Sequence, residues 1–261
     1  MGGAPALPRL IIQIYEIQTP QEAEAVIALG VDRIGSVVLS QQNWKAPVLK
    51  ETIDLVRAAG SRSSLIPLFQ AETTVLQALE YYQPDIVHFC DALALQTNST
   101  CNFGRLIKLQ IRVKELFPEL KVMRSIPIGP AGGAHRVTTL EFGRRFEPVT
   151  DVFLADTLLA GSSAAPAEAQ PVDGFVGITG LACDWGVAAE LVRQSSIPVI
   201  LAGGISAENA AEAITRTRPA GIDSCTQTNA VDDQGRPIRF RKDLKKVQAL
   251  VAAVRRTERV S

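Results

Sequence analysis

An excess of charge of either sign is missing from this chain. Its 261 residues carry 27 basic and 27 acidic side chains, so no global field draws it to nucleic acid or to an anionic membrane. Metal-ligand spacing is missing too. Cys90, Cys101, Cys183 and Cys225 are widely separated and form no CxxC pair, which also argues against a disulfide framework in a chain of this length. No basic N-terminal region precedes an apolar one, and no apolar run is long enough to span a bilayer. A reducing cytoplasm is therefore expected, and the sequon at Asn98 carries no weight without a secretory signal. With no metal, cofactor, nucleic acid or membrane indicated, the expected partner is a small molecule.

What is present is a repeated alternation. Short β-branched runs occur at Leu10–Tyr15, Arg33–Leu39, Ser64–Phe69, Asp85–His88, Lys121–Ile126, Asp151–Ala155, Pro198–Ala202 and Gly221–Ser224. Most are continuously apolar, as suits strands covered on both faces. Amphipathic segments lie between and after them: Pro20–Leu29, Ala46–Ala59, Thr73–Tyr82, Gly104–Phe117, Thr138–Phe146, Asp184–Gln194, Ala207–Thr215 and Asp243–Arg255. Thr19-Pro20 reads as an N-cap followed by a first-turn proline, and Gly30 and Gly60 as C-caps. Parallel strands need right-handed helical crossovers, and eight such units close into a barrel. An open doubly wound sheet would favour a glycine-rich fingerprint after the first strand, where this chain has Tyr15-Glu16. The expectation is an α/β fold, a single-domain (β/α)8 TIM barrel over 1–261, with tails at 1–9 and 257–261 and longer loops at 92–103 and 158–173.

In such a barrel the residues at strand C-terminal ends carry function. These are Tyr15 and Glu16 on strand one, Lys45 and Trp44 after strand two, His88, Cys90 and Asp91 on strand four, and Arg124 on strand five. Asp156 ends strand six, Gly203-Gly204 follow strand seven, and Ser224, Cys225 and Thr226 close strand eight. The double glycine before Ser206, read as a helix N-cap, lets backbone amides approach an anion, with the helix N-terminus adding partial positive charge. A second loop, Gly177, Thr179 and Gly180 before the N-cap Asp184, could face the same anion. Asp156 lies just beyond a hydrophobic strand, where partial desolvation would raise its pKa and suit it to general acid work. An ordinary tight turn and a capping aspartate are the plainer readings of these features. His135 reads as a surface loop residue, and Trp44 as a rim aromatic or a ring that stacks on substrate.

These segments resemble the phosphoribosylanthranilate isomerase family, (β/α)8 enzymes of tryptophan biosynthesis. "GITGLACDW" is similar to its GGTG-x-x-FDW signature, and "VILAGGISAENAAEAI" to its LAGGL-x-x-ENV-x-x-AI segment. "PAGIDSCTQTNAVDD" is similar to P-x-GVDVSSGVE, and "VFLADT" to the strand carrying the catalytic aspartate. "IQIYEIQTPQEAEAVIALGVDRIG" follows the pattern that begins KICGIT.

The resemblance implies an Amadori rearrangement of a phosphorylated aminosugar, with Asp156 as the acid and Gly180, Gly203 and Gly204 on the phosphate. Tyr15 stands where the family has its catalytic cysteine, Glu16 replaces the next glycine, "HFCD" replaces QLHG, "SQQNWKAP" replaces SPRYV, and Cys225-Thr226-Gln227 replaces SSG. A tyrosine of pKa ~10 is a poor base at neutral pH, which leaves Glu16 or the Cys225 thiol as candidates for a relocated base. The expectation is a divergent isomerase-like barrel, a monomer or homodimer, acting on a phosphorylated small molecule. Another small-molecule activity using Asp156 and Tyr15, or a non-catalytic binding role, remains open.

Overall fold

Eight β-strand and helix pairs form where the alternation places them. The computed structural model describes residues 9–93, 103–132, 136–159 and 174–260. In order they are β1 Ile11–Ile14, α1 Pro20–Ala28, β2 Arg33–Val38, α2 Pro47–Ala58, β3 Arg62–Pro67, α3 Glu72–Tyr82, β4 Ile86–Phe89 and α4 Phe103–Leu116. There follow β5 Lys121–Ile128, α5 Arg136–Phe146, β6 Val152–Thr157, α6 Trp185–Gln194, β7 Val199–Leu201, α7 Ala210–Thr217 and β8 Gly221–Ser224. A hairpin of β9 Asn229–Val231 and β10 Pro237–Lys242 precedes α8 Leu244–Val260. Most of the two long loops, with Asn98, Cys101, His135 and the first eight residues, lies outside the described residues.

Strands β1 to β8 pair in sequence order, and β1 returns to β8 with Ile11 opposite Gly221 and Ile14 opposite Ser224. That closing pair decides for the barrel over the open sheet. Local chemistry sets the helix ends. Thr19 accepts from the Glu22 amide, Asp184 accepts from Gly186 and Val187, and Gly30 and Gly60 adopt φ of +94° and +75°.

Three local expectations change. Ser206 does not cap α7: it opens a preceding turn in which its hydroxyl accepts from the Glu208 amide, so the helix starts at Ala210 after Asn209. Residues 257 to 260 continue α8 rather than forming a tail, because Glu258 accepts from the Leu10 amide at 2.6 Å and from Arg255 at 2.7 Å. The β9–β10 hairpin has no counterpart in the sequence reading; in its six-residue second strand, PIRFRK, only Ile238 and Phe240 alternate as apolar residues, between Arg239 and Arg241.

Strand alternation sorts side chains between lumen and helix layer. Ile86, Met123, Val152, Leu154, Ile200 and Ala202, from four strands, form one small cluster inside the barrel, while a larger cluster joins the strands to the helices. Met123 faces inward, so its neighbour Arg124 faces outward. The Arg124 guanidinium is enclosed there, 4.7 Å from the centroid of the Phe146 ring on α5, and it donates to Asp91 Oδ2 at 2.8 Å. Arg124, expected at the barrel mouth, is therefore turned away from the lumen with its guanidinium already paired.

A buried ion pair that loses one partner strands the other charge. Arg124→Met should lower the unfolding free energy by about 3–5 kcal/mol in urea denaturation. Adding Asp91→Leu should recover most of that loss, whereas an equally unstable double variant would assign it to packing alone.

Candidate active site

Two glycine loops build one side of the mouth. Gly203 and Gly204 take φ of +80° and +60°, and Gly180 takes +67°. The positions are tight as well as left-handed. A Cβ on Gly203 would sit 2.3 Å from Thr157 Oγ1, and one on Gly204 would sit 2.8 Å from the Ala182 nitrogen and 2.9 Å from the Gly180 oxygen. Among the described residues the amides of Gly180, Gly203 and Gly204 meet no protein acceptor. Successive N–H groups left open in this way form a concavity suited to an anion.

The cleft they frame, of about 290 Å³, is also lined by Thr179, Ser224, Cys225, Thr226 and Gln227. Not every expected hydroxyl is available there. Ser224 is committed, donating to the Ile205 carbonyl at 2.7 Å, whereas Thr179 only accepts, from the Leu181 amide at 3.2 Å, and keeps its own proton to donate. The Gln227 amide donates to the Gly180 carbonyl at 2.9 Å, fastening the strand-eight loop to the strand-six loop. Thr226 faces Gly180 and lines the cleft beside it.

Two carboxyl groups lie along the same cleft. Asp156, at the end of β6, is partly buried, and its Oδ1 accepts from the Thr157 amide at 2.7 Å. Burial pushes its pKa up to about 6, against the hydrogen bond that lowers it. Gly177 lies flat on this carboxylate: a Cβ there would come within 2.3 Å of Oδ2. Asp223 on β8 is 5% exposed and accepts from Gln13 at 3.0 Å. Burial first, and then the charge of Asp156, raise its pKa to about 8. The sequence reading overlooked Asp223. Its parity with Cys225, just beyond β8, puts the two on one face without saying that this face is the lumen.

An apolar slot of about 470 Å³ opens beside the cleft, walled by Val37, Ile66, Leu68, Phe175 and Val176. Asp156, Ile178 and Cys225 line both spaces, so the two are adjacent. Tyr15 and His88 meet at the slot's floor. The Tyr15 hydroxyl is 2.5 Å from Ser64 Oγ and 2.8 Å from His88 Nδ1, and His88 Nε2 is 2.7 Å from Ser125 Oγ. Burial raises the Tyr15 pKa well above its ordinary value and lowers that of His88 to about 3. Both side chains are neutral at neutral pH, a clamped hydroxyl and an imidazole rather than a charged pair. Burial likewise raises the Cys90 and Cys225 thiols, so neither is a thiolate base.

Glu16 holds the left-handed φ of +64°, buried at 1% exposure against Arg239 and the Phe240 amide of β10. Lys45 is not brought to either space. Its ammonium lies 5.0 Å and 5.5 Å from the ring centroids of Trp44 and Tyr81, on the flank between α2 and α3. Trp44 is accordingly a packed flank residue, partly buried against the α2–α3 cluster. Among the described residues no group of His, Cys, Asp and Glu is arranged to hold a metal ion, and no helix is long and apolar enough to cross a membrane.

Tyr15 depends on a neighbour without a side chain. A Cβ on Gly35 would fall 2.1 Å from the Tyr15 ring, which is itself 4% exposed and held by its hydroxyl. Gly35→Ala should cost about 1–3 kcal/mol by overpacking. In a Tyr15→Cys background the same change should cost little, so equal losses in the two backgrounds, measured by urea denaturation, would refute the contact.

Comparison with known proteins agrees with this architecture. The family model for N-(5'phosphoribosyl)anthranilate (PRA) isomerase matches residues 145–253. The N-(5'-phosphoribosyl)anthranilate isomerase of Haloferax volcanii is 33% identical over 246 residues, covering 94% of this chain and 92% of the relative. Among solved structures, phosphoribosyl anthranilate isomerase from Thermotoga maritima superposes with a TM-score of 0.67 at 14% identity, covering 94% of this chain and 98% of that one. Another, a phosphoribosyl anthranilate isomerase in complex with reduced 1-(o-carboxyphenylamino)-1-deoxyribulose 5-phosphate, gives a TM-score of 0.61 at 15% identity and covers 94% of this chain and 98% of that one. These structures share the fold; the sequence relationship along nearly the whole length carries the family. On that relationship, the chain belongs to the N-(5'-phosphoribosyl)anthranilate isomerase family.

Proposed function

We propose that this barrel isomerises phosphoribosylanthranilate, an aldose-to-ketose Amadori rearrangement, with Asp156 and Asp223 as its acid–base pair. The observation that carries this is the pair itself: a partly buried Asp156 and a buried Asp223 along one cleft, with pKa values raised to about 6 and about 8. Carboxyls that feel each other titrate as a unit, so between those values the pair holds about one proton. Such a pair supplies an acid and a base together at neutral pH.

The phosphate would sit on the Gly180, Gly203 and Gly204 amides beside Thr226, and the aryl group in the apolar slot. Between the two titrations the shared proton rests mainly on Asp223, so the reactive form is the minority one in which Asp156 carries it. In that form Asp156, which borders both spaces, is placed to protonate the ring oxygen as the C1–O bond opens to a C1=N iminium, and the ionised Asp223 then takes the C2 hydrogen as a proton. The enolamine that results tautomerises to the C2 ketone, with the amine on C1. Tyr15 in this scheme is a fixed hydroxyl next to the reacting carbons, and His88 with Ser64 keeps it in place. Glu16 and Cys225 are rim groups rather than bases: the carboxylate is engaged by Arg239, and the thiol is kept protonated by burial.

Asp156→Asn and Asp223→Asn should each lower kcat by about 10²–10⁴-fold, with wild-type kcat/KM bell-shaped between the two titrations. Purified, folded wild type that leaves phosphoribosylanthranilate unchanged would overturn the assignment.

The same pKa shifts act on stability. A carboxyl raised on folding holds a proton that the unfolded chain has already released, so its contribution is lost as pH rises through the folded pKa. His88 acts oppositely, but only below its ordinary value of 6.5. From pH 6.5 to 8 the carboxyls therefore dominate among these groups, and wild-type Tm should fall across that window. Asp223→Asn should flatten the decline; an unchanged slope would mean that Asp223 is ionised in the folded protein.

A further inference from the structure

The Asp223 carboxyl has one hydrogen-bond partner among the described residues, and strand register supplies it. Gln13 on β1 stands opposite Asp223 on β8 in the pair that closes the barrel, so both side chains enter the lumen at one level. The Gln13 amide nitrogen donates to Asp223 Oδ1 at 3.0 Å and lies 3.9 Å from the Met123 sulfur. Gln13 is 0% exposed, and its Oε1 is buried without a partner. An open buried acceptor is unfavourable, so the amide is oriented for the carboxyl rather than for its own oxygen.

The ionisable groups around Asp223 act on it only through space. Asp156 faces it from β6, and Tyr15 at the end of β1 and Cys225 just beyond β8 lie within electrostatic reach. The Lys242 ammonium, from β10, is turned to the Cys225 carbonyl and to Asn229. Arg33, opposite Gln13 on β2, keeps Nη1 buried without a partner. Asp223 Oδ2 therefore meets no donor among the described residues, and Asp223 lines the cleft. A neutral N–H donor binds a carboxylate more strongly than a carboxylic acid. An ammonium in the same place would favour the carboxylate far more and strip the proton at neutral pH.

We infer that Gln13 is the positioning residue of Asp223: its amide fixes Oδ1, leaves Oδ2 to the cleft, and favours the ionised base while allowing one proton to be shared with Asp156. The reactive form is the one with Asp223 ionised, so this hydrogen bond raises its share of the singly protonated pair. The role rests on the reading of Asp223 as the base, but the titration of Asp223 is followed without turnover. The measurement is carbon NMR of the full chain labelled at aspartate, with the Asp223 signal assigned by its loss in Asp223→Asn.

Gln13→Met, which keeps the volume and removes the donor, should raise the Asp223 midpoint by about one pH unit. Its kcat/KM should fall about tenfold at neutral pH, with the alkaline limb moved up by the same unit. Gln13→Lys should lower the midpoint by about 1–3 units. A merely structural glutamine would change Tm and leave the midpoint in place, so unmoved midpoints, or shifts of the same sign in both variants, would overturn the inference. If neither variant folds, wild type decides. The Gln13 side-chain amide signal, assigned through its contact with Met123, should follow the Asp223 titration, and an amide indifferent to it sinks the proposal. Shifted midpoints without turnover of phosphoribosylanthranilate would remove the isomerase reading alone; turnover with unmoved midpoints would remove the role of Gln13 alone.

Discussion

Closure of eight parallel strands sends every second side chain into a lumen that water barely enters, and the chemistry of this protein follows from that constraint. Gln13, Tyr15, Ser64, His88, Ser125 and Asp223 lie on inward positions and are all buried. Most of these polar groups satisfy one another: Ser64, Tyr15, His88 and Ser125 form a continuous hydrogen-bonded row across four strands, and Gln13 donates to Asp223 while its own Oε1 is left without a partner. The same exclusion of water that makes the row necessary keeps Tyr15 and His88 uncharged and lifts Asp156 and Asp223 toward neutral pH. One physical cause therefore provides both a rigid floor and a titratable pair.

Backbone conformation supplies the complementary feature. Glycine at 180, 203 and 204 allows loops to touch with their amides open, which no side chain could tolerate at those distances. At Glu16 and Phe240 the left-handed conformation persists in residues that carry side chains, at a cost of about 1–3 kcal/mol each. The two are neighbours in space. Glu16 binds Arg239 and approaches the Phe240 amide, and the Phe240 ring packs onto the Tyr15 cluster, so each strained residue is held by the other's surroundings. The β9–β10 hairpin is the element that makes this arrangement possible, fastening the chain after β8 to the end of β1.

Much of the barrel was legible in the sequence because its signals are local. Apolar runs, helical periodicity, Thr19 and Asp184 as caps, and Gly30 and Gly60 as stops each depend on residues a few positions apart. The hairpin was not legible, because Arg and Lys dominate β10 and its pairing is secured by tertiary bonds to Glu16 and Glu22. Asp156 could be singled out at a strand end. Asp223 could not, since a lone aspartate inside a four-residue strand gains meaning only when the lumen is known to enclose it.

By itself the sequence determined the order of strands and helices, the glycine loops after β6 and β7, and the family to which the chain belongs, all of which follow from short-range pattern and motif order. Only the tertiary structure decided which face each strand residue takes. It turned Arg124 outward onto Phe146, left Lys45 on the flank, and brought Asp223 within electrostatic reach of Asp156 across the barrel. Alternation in a strand fixes that neighbours face opposite ways, but which of them faces inward depends on the register in which all eight strands close.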